Sequence, residues 1–147
     1  MTEFVNTVIH HDKIPLSPSY GSVVPLNNGR LVWVWGEGRG RPEDRVHANY
    51  SDDQGQTWSD PEPLLLQGGE TMPCLFGTHL LRLPSGDLGL VQMISSGQQT
   101  FHRSRDEGKT WSEGVQINPS GTTAFAAHDV CIVLKSGRIL VPVFSHI

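Results

Sequence analysis

Charged side chains concentrate in residues 36–45, GEGRGRPEDR, directly after the apolar stretch 31–35. Carboxyl groups can transfer protons, and guanidinium groups can hold anions or hydroxyl groups, so this segment carries the side chains that acid–base chemistry on a polar substrate needs. The residues concerned are Glu37, Arg39, Glu43 and Asp44. A solvated loop between two strands would have the same composition. The segment is therefore a candidate site whose role depends on the elements around it.

Histidine is frequent, but its spacing indicates no metal site. The seven histidines include no His-Glu-x-x-His pattern, the cysteines form no Cys-x-x-Cys pair, and we expect no metal and no cofactor. The glycines of residues 36–41 do not fit a nucleotide-binding G-x-G-x-x-G followed by a helix. His128 and Asp129 form a second candidate polar pair, for which a buried, hydrogen-bonded pair is the commoner explanation.

The composition excludes several classes of protein. The 147 residues carry a net charge of −4, which argues against a nucleic-acid binder or an anionic-membrane binder. No apolar run approaches the length of a bilayer span, and residues 1–15 lack the pattern of a secretory signal. Cys74 and Cys131 are too few for a disulfide scaffold and are expected to be buried thiols, with a single bridge between them as the alternative. With 16 glycines and 10 prolines, short strands and turns are favoured over long helices.

An internal repeat organises the chain. Residues 51–58, SDDQGQTW, and 104–111, SRDEGKTW, both fit S-x-D-x-G-x-T-W, and we call each octapeptide a box. Three segments with Asn-Gly or Ser-Gly turns alternate with the boxes, at 25–35, 82–93 and 133–144. Such turns between apolar runs predict β-hairpins. The order hairpin, box, hairpin, box, hairpin predicts repeated antiparallel sheets.

The residue types of the box predict a self-contained turn. An Asp side chain can accept hydrogen bonds from backbone N–H groups just ahead of it, the Gly can take a left-handed conformation, and the Trp buries a ring beside the turn. Asp53 and Asp106 are therefore expected to be structural. The structural positions are Ser51, Asp53, Gly55, Thr57 and Trp58 in the first box, and Ser104, Asp106, Gly108, Thr110 and Trp111 in the second.

The two boxes and the blade-like spacing resemble the sialidase (neuraminidase) superfamily, whose repeated Asp-boxes match both octapeptides. The resemblance implies an all-β fold, a β-propeller of sialidase type that has six blades when complete, with about two and a half to three blades here. Residues 1–147 would form one partial propeller domain, with residues 1–17 as an N-terminal lead-in. A third box is expected beyond Ile147, so the chain is expected to be the N-terminal portion of a longer propeller.

The resemblance also implies roles for the charged segment. Residues 20–39 look like the first blade of sialidases, in which the Arg of an E-G-R triplet faces the glycan and a later Asp is the general acid/base. Carried over, Arg39 becomes a substrate contact and Asp44 the acid/base candidate, with Glu43 as a competing carboxylate. Glu37, beside Arg39, and the pair His128 and Asp129 are further candidate substrate contacts. The aromatic-Arg-Ile-Pro motif of the family has no Arg counterpart in residues 18–22, and neither Tyr20 nor Tyr50 maps to the family's nucleophile.

Three functions remain open at this point. One is an exo-acting, sialidase-like glycoside hydrolase that is inactive as this chain alone. The alternative is a noncatalytic propeller that binds glycan or protein, and the third is a structural module that pairs to close a ring. The expected partner is a carbohydrate, and neither nucleic acid nor membrane is expected as a partner. Self-association through the uncovered blade is possible, because an uncovered sheet leaves an apolar face and a free strand edge.

Trp33 and Trp35 are expected to pack between blades.

Overall fold

The fold of the described residues consists of β-strands and turns. The computed structural model describes residues 20–37, 40–94, 97–119 and 131–143, so the candidates Arg39, His128 and Asp129 lie outside the described residues. All ten elements in this part of the chain are strands, and none of its segments is a helix that could span a membrane. The all-β prediction is confirmed.

The first sheet, blade 1, contains four antiparallel strands in chain order. They are β1 Gly21–Pro25, β2 Leu31–Gly36, β3 Val46–Ser51 and β4 Glu62–Pro63. The turn around Gly29, where φ is +86°, joins β1 to β2, as the Asn-Gly signal predicts. Across the centre of the sheet, Trp33 pairs with Asn49 and Trp35 with His47.

The second sheet, blade 2, repeats this arrangement. Its strands are β5 Phe76–Arg82, β6 Leu88–Met93, β7 Gln99–Ser104 and β8 Val115–Gln116, again antiparallel and in chain order. A third hairpin follows, formed by β9 Ile132–Val133 and β10 Ile139–Leu140. The three predicted hairpins are therefore confirmed where the chain is described.

Each blade has two ends, and the boxes share one of them. The connections β1–β2 and β3–β4 leave the sheet at the end that we call the box rim, and the matching connections of blade 2 do the same. Residues 37–45 join β2 to β3, and residues 94–98 join β6 to β7, at the other end, which we call the opposite rim. The charged segment thus lies at the rim away from both boxes.

An apolar core joins the two blades. Alternate residues of β2 and β3 face alternate residues of β5 and β6, because a β-strand presents every second side chain to the same face. Residues 64–74 run between the blades and add further apolar side chains, and Trp111 of the second box closes the core. The buried members are Leu26, Val32, Val34, Val46, Ala48, Leu64, Leu66, Met72, Cys74, Leu80, Leu88, Leu90 and Trp111.

The first strands of the two blades meet along what we call the inner edge. The Thr78 hydroxyl donates to the Tyr20 carbonyl at 3.1 Å, and the Leu80 N–H donates to the Ser22 hydroxyl at 2.6 Å. These bonds link β1 to β5 directly. They fix the two blades side by side with their boxes at the same rim.

The boxes close on themselves as expected. Asp53 accepts the Thr57 N–H at 2.9 Å and the Thr57 hydroxyl at 2.6 Å, and Asp106 accepts the same two groups of Thr110 at 3.0 and 2.7 Å. The side-chain and backbone hydrogen bonds from Thr57 lower the pKa of Asp53 to about 2. Burial would raise the pKa of Asp106, but the hydrogen bonds from Thr110 outweigh it and the pKa is lowered. Both carboxylates serve their own turns.

The two box tryptophans differ in burial. Trp111 is 1% exposed in the core, where its backbone is hydrogen-bonded to Leu65 and Gln67 of the segment between the blades, whereas Trp58, at the equivalent position of blade 1, is only partly buried.

The expectation that Trp33 and Trp35 pack between blades is not met against blade 2. These residues alternate with Val32 and Val34, whose side chains face the core between the blades, so the two tryptophans lie on the other face of the sheet. Val23 of β1, which pairs with Trp33, is 45% exposed. Whether two chains associate through an uncovered blade is not tested by these contacts, and self-association stays a prediction.

Candidate functional site

The opposite rim carries the sequence-predicted acid. The two ends of the connection between β2 and β3 are hydrogen-bonded to each other: the Arg45 N–H donates to the Glu37 carboxylate at 2.8 Å, and the Glu37 N–H donates to the Arg45 carbonyl at 3.2 Å. The Arg45 guanidinium donates to the Thr71 hydroxyl at 2.9 Å and to two carbonyls of its own loop. Glu37, a predicted substrate contact, is 12% exposed and stabilises this loop closure.

Asp44 lies at this rim but is enclosed. Its side chain is 1% exposed, and its carboxylate accepts the Arg41 N–H at 3.1 Å, with the Arg41 Nε 3.7 Å away. The Asp44 carbonyl accepts the Cys74 N–H at 3.1 Å, so the loop is attached to the segment that leads into blade 2. In this conformation the carboxylate is an acceptor within its own turn. Donating a proton to a substrate would require that turn to open.

Glu43 is the accessible carboxylate of the same loop. Its side chain is 65% exposed and lies 3.5 Å from the Arg41 guanidinium. The two carboxylates therefore differ in environment: Asp44 is buried and hydrogen-bonded, and Glu43 faces solvent. Both remain candidates for the acid/base role because geometry in an unliganded site does not exclude a catalytic group.

His47 lies just below this rim on β3. Its ring stacks on Trp35 at 4.8 Å between centroids, and its Nε2 is 3.9 Å from the Glu37 carboxylate. Neither ring nitrogen has a hydrogen-bond partner among the described residues. Burial lowers the pKa of His47, although the charge of Glu37 opposes the shift. At neutral pH the ring is therefore uncharged.

Two aromatic rings lie beside the loop on the inner edge, and the sequence interpretation did not use them. Tyr20 precedes β1 and Phe76 begins β5, with ring centroids 5.1 Å apart at an interplanar angle of 74°. A signal exists: Tyr20-Gly21-Ser22 and Phe76-Gly77-Thr78 are the same aromatic-Gly-hydroxyl triplet in successive blades. A pattern of three residues is too short to be recognised until the sequences of the two blades have been aligned.

Buried polar side chains also repeat between the blades. In blade 1, Asn49 accepts from the Trp35 indole at 2.7 Å and donates to the Ser59 carbonyl at 2.7 Å. In blade 2, His102 takes the same position, 3.0 Å from Gln92 and 2.9 Å from the Ser112 carbonyl. Each side chain ties the third strand to the segment after the box. Burial lowers the pKa of His102, which the Ser112 carbonyl and Glu113 partly counteract.

Replacing His102 with Asn should remove part of the pH dependence of stability. A histidine whose folded-state pKa is below its unfolded value of 6.5 stabilises the fold above pH 6.5 and loses that contribution as the pH falls. His102→Asn should therefore flatten the dependence of the unfolding free energy between pH 5 and 7, by at most about 1.4 kcal/mol per pH unit. Urea titrations at several pH values measure this. An unchanged slope would show that the pKa of His102 is the same in the folded and unfolded states.

The other candidate residues lie away from the opposite rim or outside the described residues. The ten box residues lie in or beside the turns at the box rim, at the other end of the sheets from the charged loop. A cavity of about 350 Å³ lies on the outer part of blade 2, lined by Gln67, Phe101, Arg103, Arg105, Ser112 and Val115. It contains no described residue of the opposite rim. In the described part of the chain no group of three His, Cys, Asp or Glu side chains could hold a metal ion.

Comparisons with known proteins bear on the fold. No family model and no curated protein matches the chain. A protein of unknown function from Dyadobacter fermentans matches with 23% identity and a TM-score of 0.56, covering 82% of this chain and 32% of that one. The α-L-arabinofuranosidase Arb93A from Fusarium graminearum, bound to an iminosugar inhibitor, matches with 21% identity and a TM-score of 0.54, covering 78% and 36%. The Hadza microbial sialidase Hz136 matches with 16% identity and a TM-score of 0.56, covering 82% and 31%.

These likenesses identify the architecture. The chain has the fold of part of a β-propeller, similar to parts of the arabinofuranosidase and of the sialidase. It spans about a third of the length of the solved structures that it matches. At such identities the comparison concerns the fold, and the chemistry must be argued from the side chains of this chain.

Proposed function

We propose that the chain contributes the first blades of an exo-acting, sialidase-like glycoside hydrolase, with the opposite rim facing the sugar. One observation carries the proposal: the Asp44 carbonyl of this loop is hydrogen-bonded to Cys74 just before β5, and the exposed Tyr20 packs on the partly buried Phe76 at the adjoining inner edge. A propeller positions loops from successive blades around one end of its inner edge, so this rim is the natural place for a ligand. Arb93A and Hz136, which share the fold, are by name a glycosidase and a sialidase.

In this proposal Asp44 is the general acid/base. A glycosidase needs a carboxyl group that protonates the leaving oxygen, while a nucleophile acts on the opposite face of the sugar ring. Arg39 would contact the sugar from the same loop. In this proposal the nucleophile comes from a later blade, outside this chain, so the chain alone is expected to show no turnover.

The experiment is a hydrolysis assay of the protein that carries this chain. Aryl glycosides of neutral sugars and of sialic acid report release of the aryl group, and chromatography of natural oligosaccharides shows whether single sugars leave from the chain end. Release of single sugars is the expected result. Binding of sugars without hydrolysis of either class would contradict the proposal.

A noncatalytic glycan-binding propeller is the second candidate. The observation in its favour is that the Asp44 carboxylate is 1% exposed and accepts the Arg41 N–H, which is the arrangement of a structural carboxylate. Such a protein would bind the sugar at the same rim and leave it intact. The hydrolysis assay distinguishes the two candidates.

A further inference from the structure

The aromatic pair on the inner edge has the features of a ligand surface. Tyr20 is 47% exposed, although it packs edge-to-face on Phe76. Both residues lie at the opposite rim, where the first strand of each blade starts: Tyr20 directly precedes β1, and Phe76 is the first residue of β5. A contiguous aromatic surface at such a place is more than the isolated exposed hydrophobic residue that is normal in proteins.

The backbone holds the two rings in place. β5 has a bulge between Phe76 and Thr78, where Gly77 has a φ of +61° and no partner in β6. A bulge redirects the side chain next to it, and Gly77 allows the left-handed conformation that the bulge needs. On the other side, the Thr78 N–H and hydroxyl both donate to the Tyr20 carbonyl, at 3.3 and 3.1 Å. The hydrogen-bonded register between the two blades therefore fixes the positions of the two rings relative to each other.

The pair adjoins the loop with the candidate acid. Leu75, the neighbour of Phe76, lies so close to Gly40 that a Cβ on that glycine would be 3.4 Å from the leucine side chain. One residue before Leu75, the Cys74 N–H donates to the Asp44 carbonyl. The segment that leads into Phe76 is therefore in direct contact with the loop that carries Asp44.

The described charges of this rim do not favour an anionic ligand. Its carboxylates are Glu37, Glu43 and Asp44, and its guanidiniums are Arg41 and Arg45. Arg41 lies against Glu43 and Asp44, and Arg45 donates to Thr71 and to carbonyls of its own loop. In the part of the rim that the structure describes, both guanidiniums are thus engaged within the protein. A carboxylate-bearing sugar would gain little from them, because a fork of free N–H groups is what binds such a group.

We propose that Tyr20 and Phe76 form a stacking subsite for the C–H face of an uncharged sugar ring, an inference that rests on the proposed function and names its substrate class. The face of an aromatic ring carries negative charge density and attracts the weakly positive C–H bonds of a sugar. The subsite selects neutral sugars such as pentoses or galactose over sialic acid. The loop with Asp44 then contacts the bond at the edge of the stacked ring.

Saturation-transfer and titration NMR test the subsite with three probes: arabinobiose, lactose and 3′-sialyllactose. Lactose and 3′-sialyllactose differ only by the acidic sugar, so they form a matched pair. The variants are Tyr20→Ala, Tyr20→Phe and Phe76→Leu, and Val23→Ala is the control, an exposed apolar residue on β1. Circular dichroism verifies that each variant is folded.

The expected result is binding of the neutral probes, with Tyr20→Ala and Phe76→Leu weakening it about tenfold, the equivalent of one aromatic contact. Tyr20→Phe keeps the ring and should stay within about twofold of the unmodified protein, and Val23→Ala should leave binding unchanged. Tighter binding of 3′-sialyllactose than of lactose, or unchanged affinity in Tyr20→Ala, would overturn the inference and leave a hydrolase proposal intact. Ring-dependent binding of neutral sugars without hydrolysis would support the subsite and refute the hydrolase.

Discussion

Asp44→Asn is expected to lower the turnover of glycosides with poor leaving groups by about 10²–10⁴-fold, the usual contribution of a general acid. Activated aryl glycosides need little protonation of the leaving oxygen, so their turnover should fall far less. Asn is the suitable replacement because its amide oxygen can still accept the Arg41 N–H that the carboxylate now accepts. The turn of residues 41–44 should therefore persist, and the loss would report the missing proton.

Glu43→Gln is the matched control for this prediction. Glu43 is the next residue in the same loop, and its side chain is 65% exposed where that of Asp44 is 1% exposed. Glu43→Gln should change both substrate classes little. If it instead gives the loss that depends on the leaving group, Glu43 is the acid, and an equal loss on both classes in Asp44→Asn would remove Asp44 from that role.

Of the two box tryptophans, Trp111 should give the larger loss in the free energy of unfolding when it is replaced by Ala. The ring is 1% exposed in the core between the blades, and its indole N–H donates to the Gly108 carbonyl at 3.1 Å. Truncation of a buried tryptophan costs about 3–5 kcal/mol, through lost burial and the cavity that remains. A domain is stabilised by only about 5–15 kcal/mol, so this single change removes a large share of the unfolding free energy.

Trp58→Ala provides the comparison, because Trp58 has the same place in the first box and donates the same hydrogen bond, to the Gly55 carbonyl at 3.1 Å. Its ring is only partly buried, so less than half of the loss in Trp111→Ala is expected. Urea unfolding of both variants measures the difference. Equal losses would show that Trp111 is no more buried than Trp58 in solution.

The fold was predictable from the sequence because its signals are local. The box requires Ser, Asp, Gly, Thr and Trp at fixed offsets, since Asp53 and Asp106 bond groups only four residues ahead. The Asn-Gly and Ser-Gly turns likewise act within a few residues. Local chemistry that repeats in register is sufficient to predict successive antiparallel sheets.

The site was less predictable because it depends on contacts between the blades. The enclosure of Asp44 follows from the turn with Arg41 and from the attachment to Cys74, 30 residues away, which no local pattern reports. Tyr20 and Phe76 are 56 residues apart and meet because Thr78 bonds to the carbonyl of Tyr20. The unequal burial of Trp58 and Trp111 likewise depends on which face of each sheet a neighbouring blade covers.

The central claim is that sugar binds at the rim opposite the boxes. Amide chemical-shift mapping of the ¹⁵N-labelled protein, titrated with lactose or arabinobiose, tests it most directly. The predicted result is that the largest shifts fall on residues 20–22, 40–45 and 74–78, while the boxes at 51–58 and 104–111 stay unchanged. Shifts concentrated on the boxes, or on the cavity beside Arg103 and Arg105, would contradict the claim.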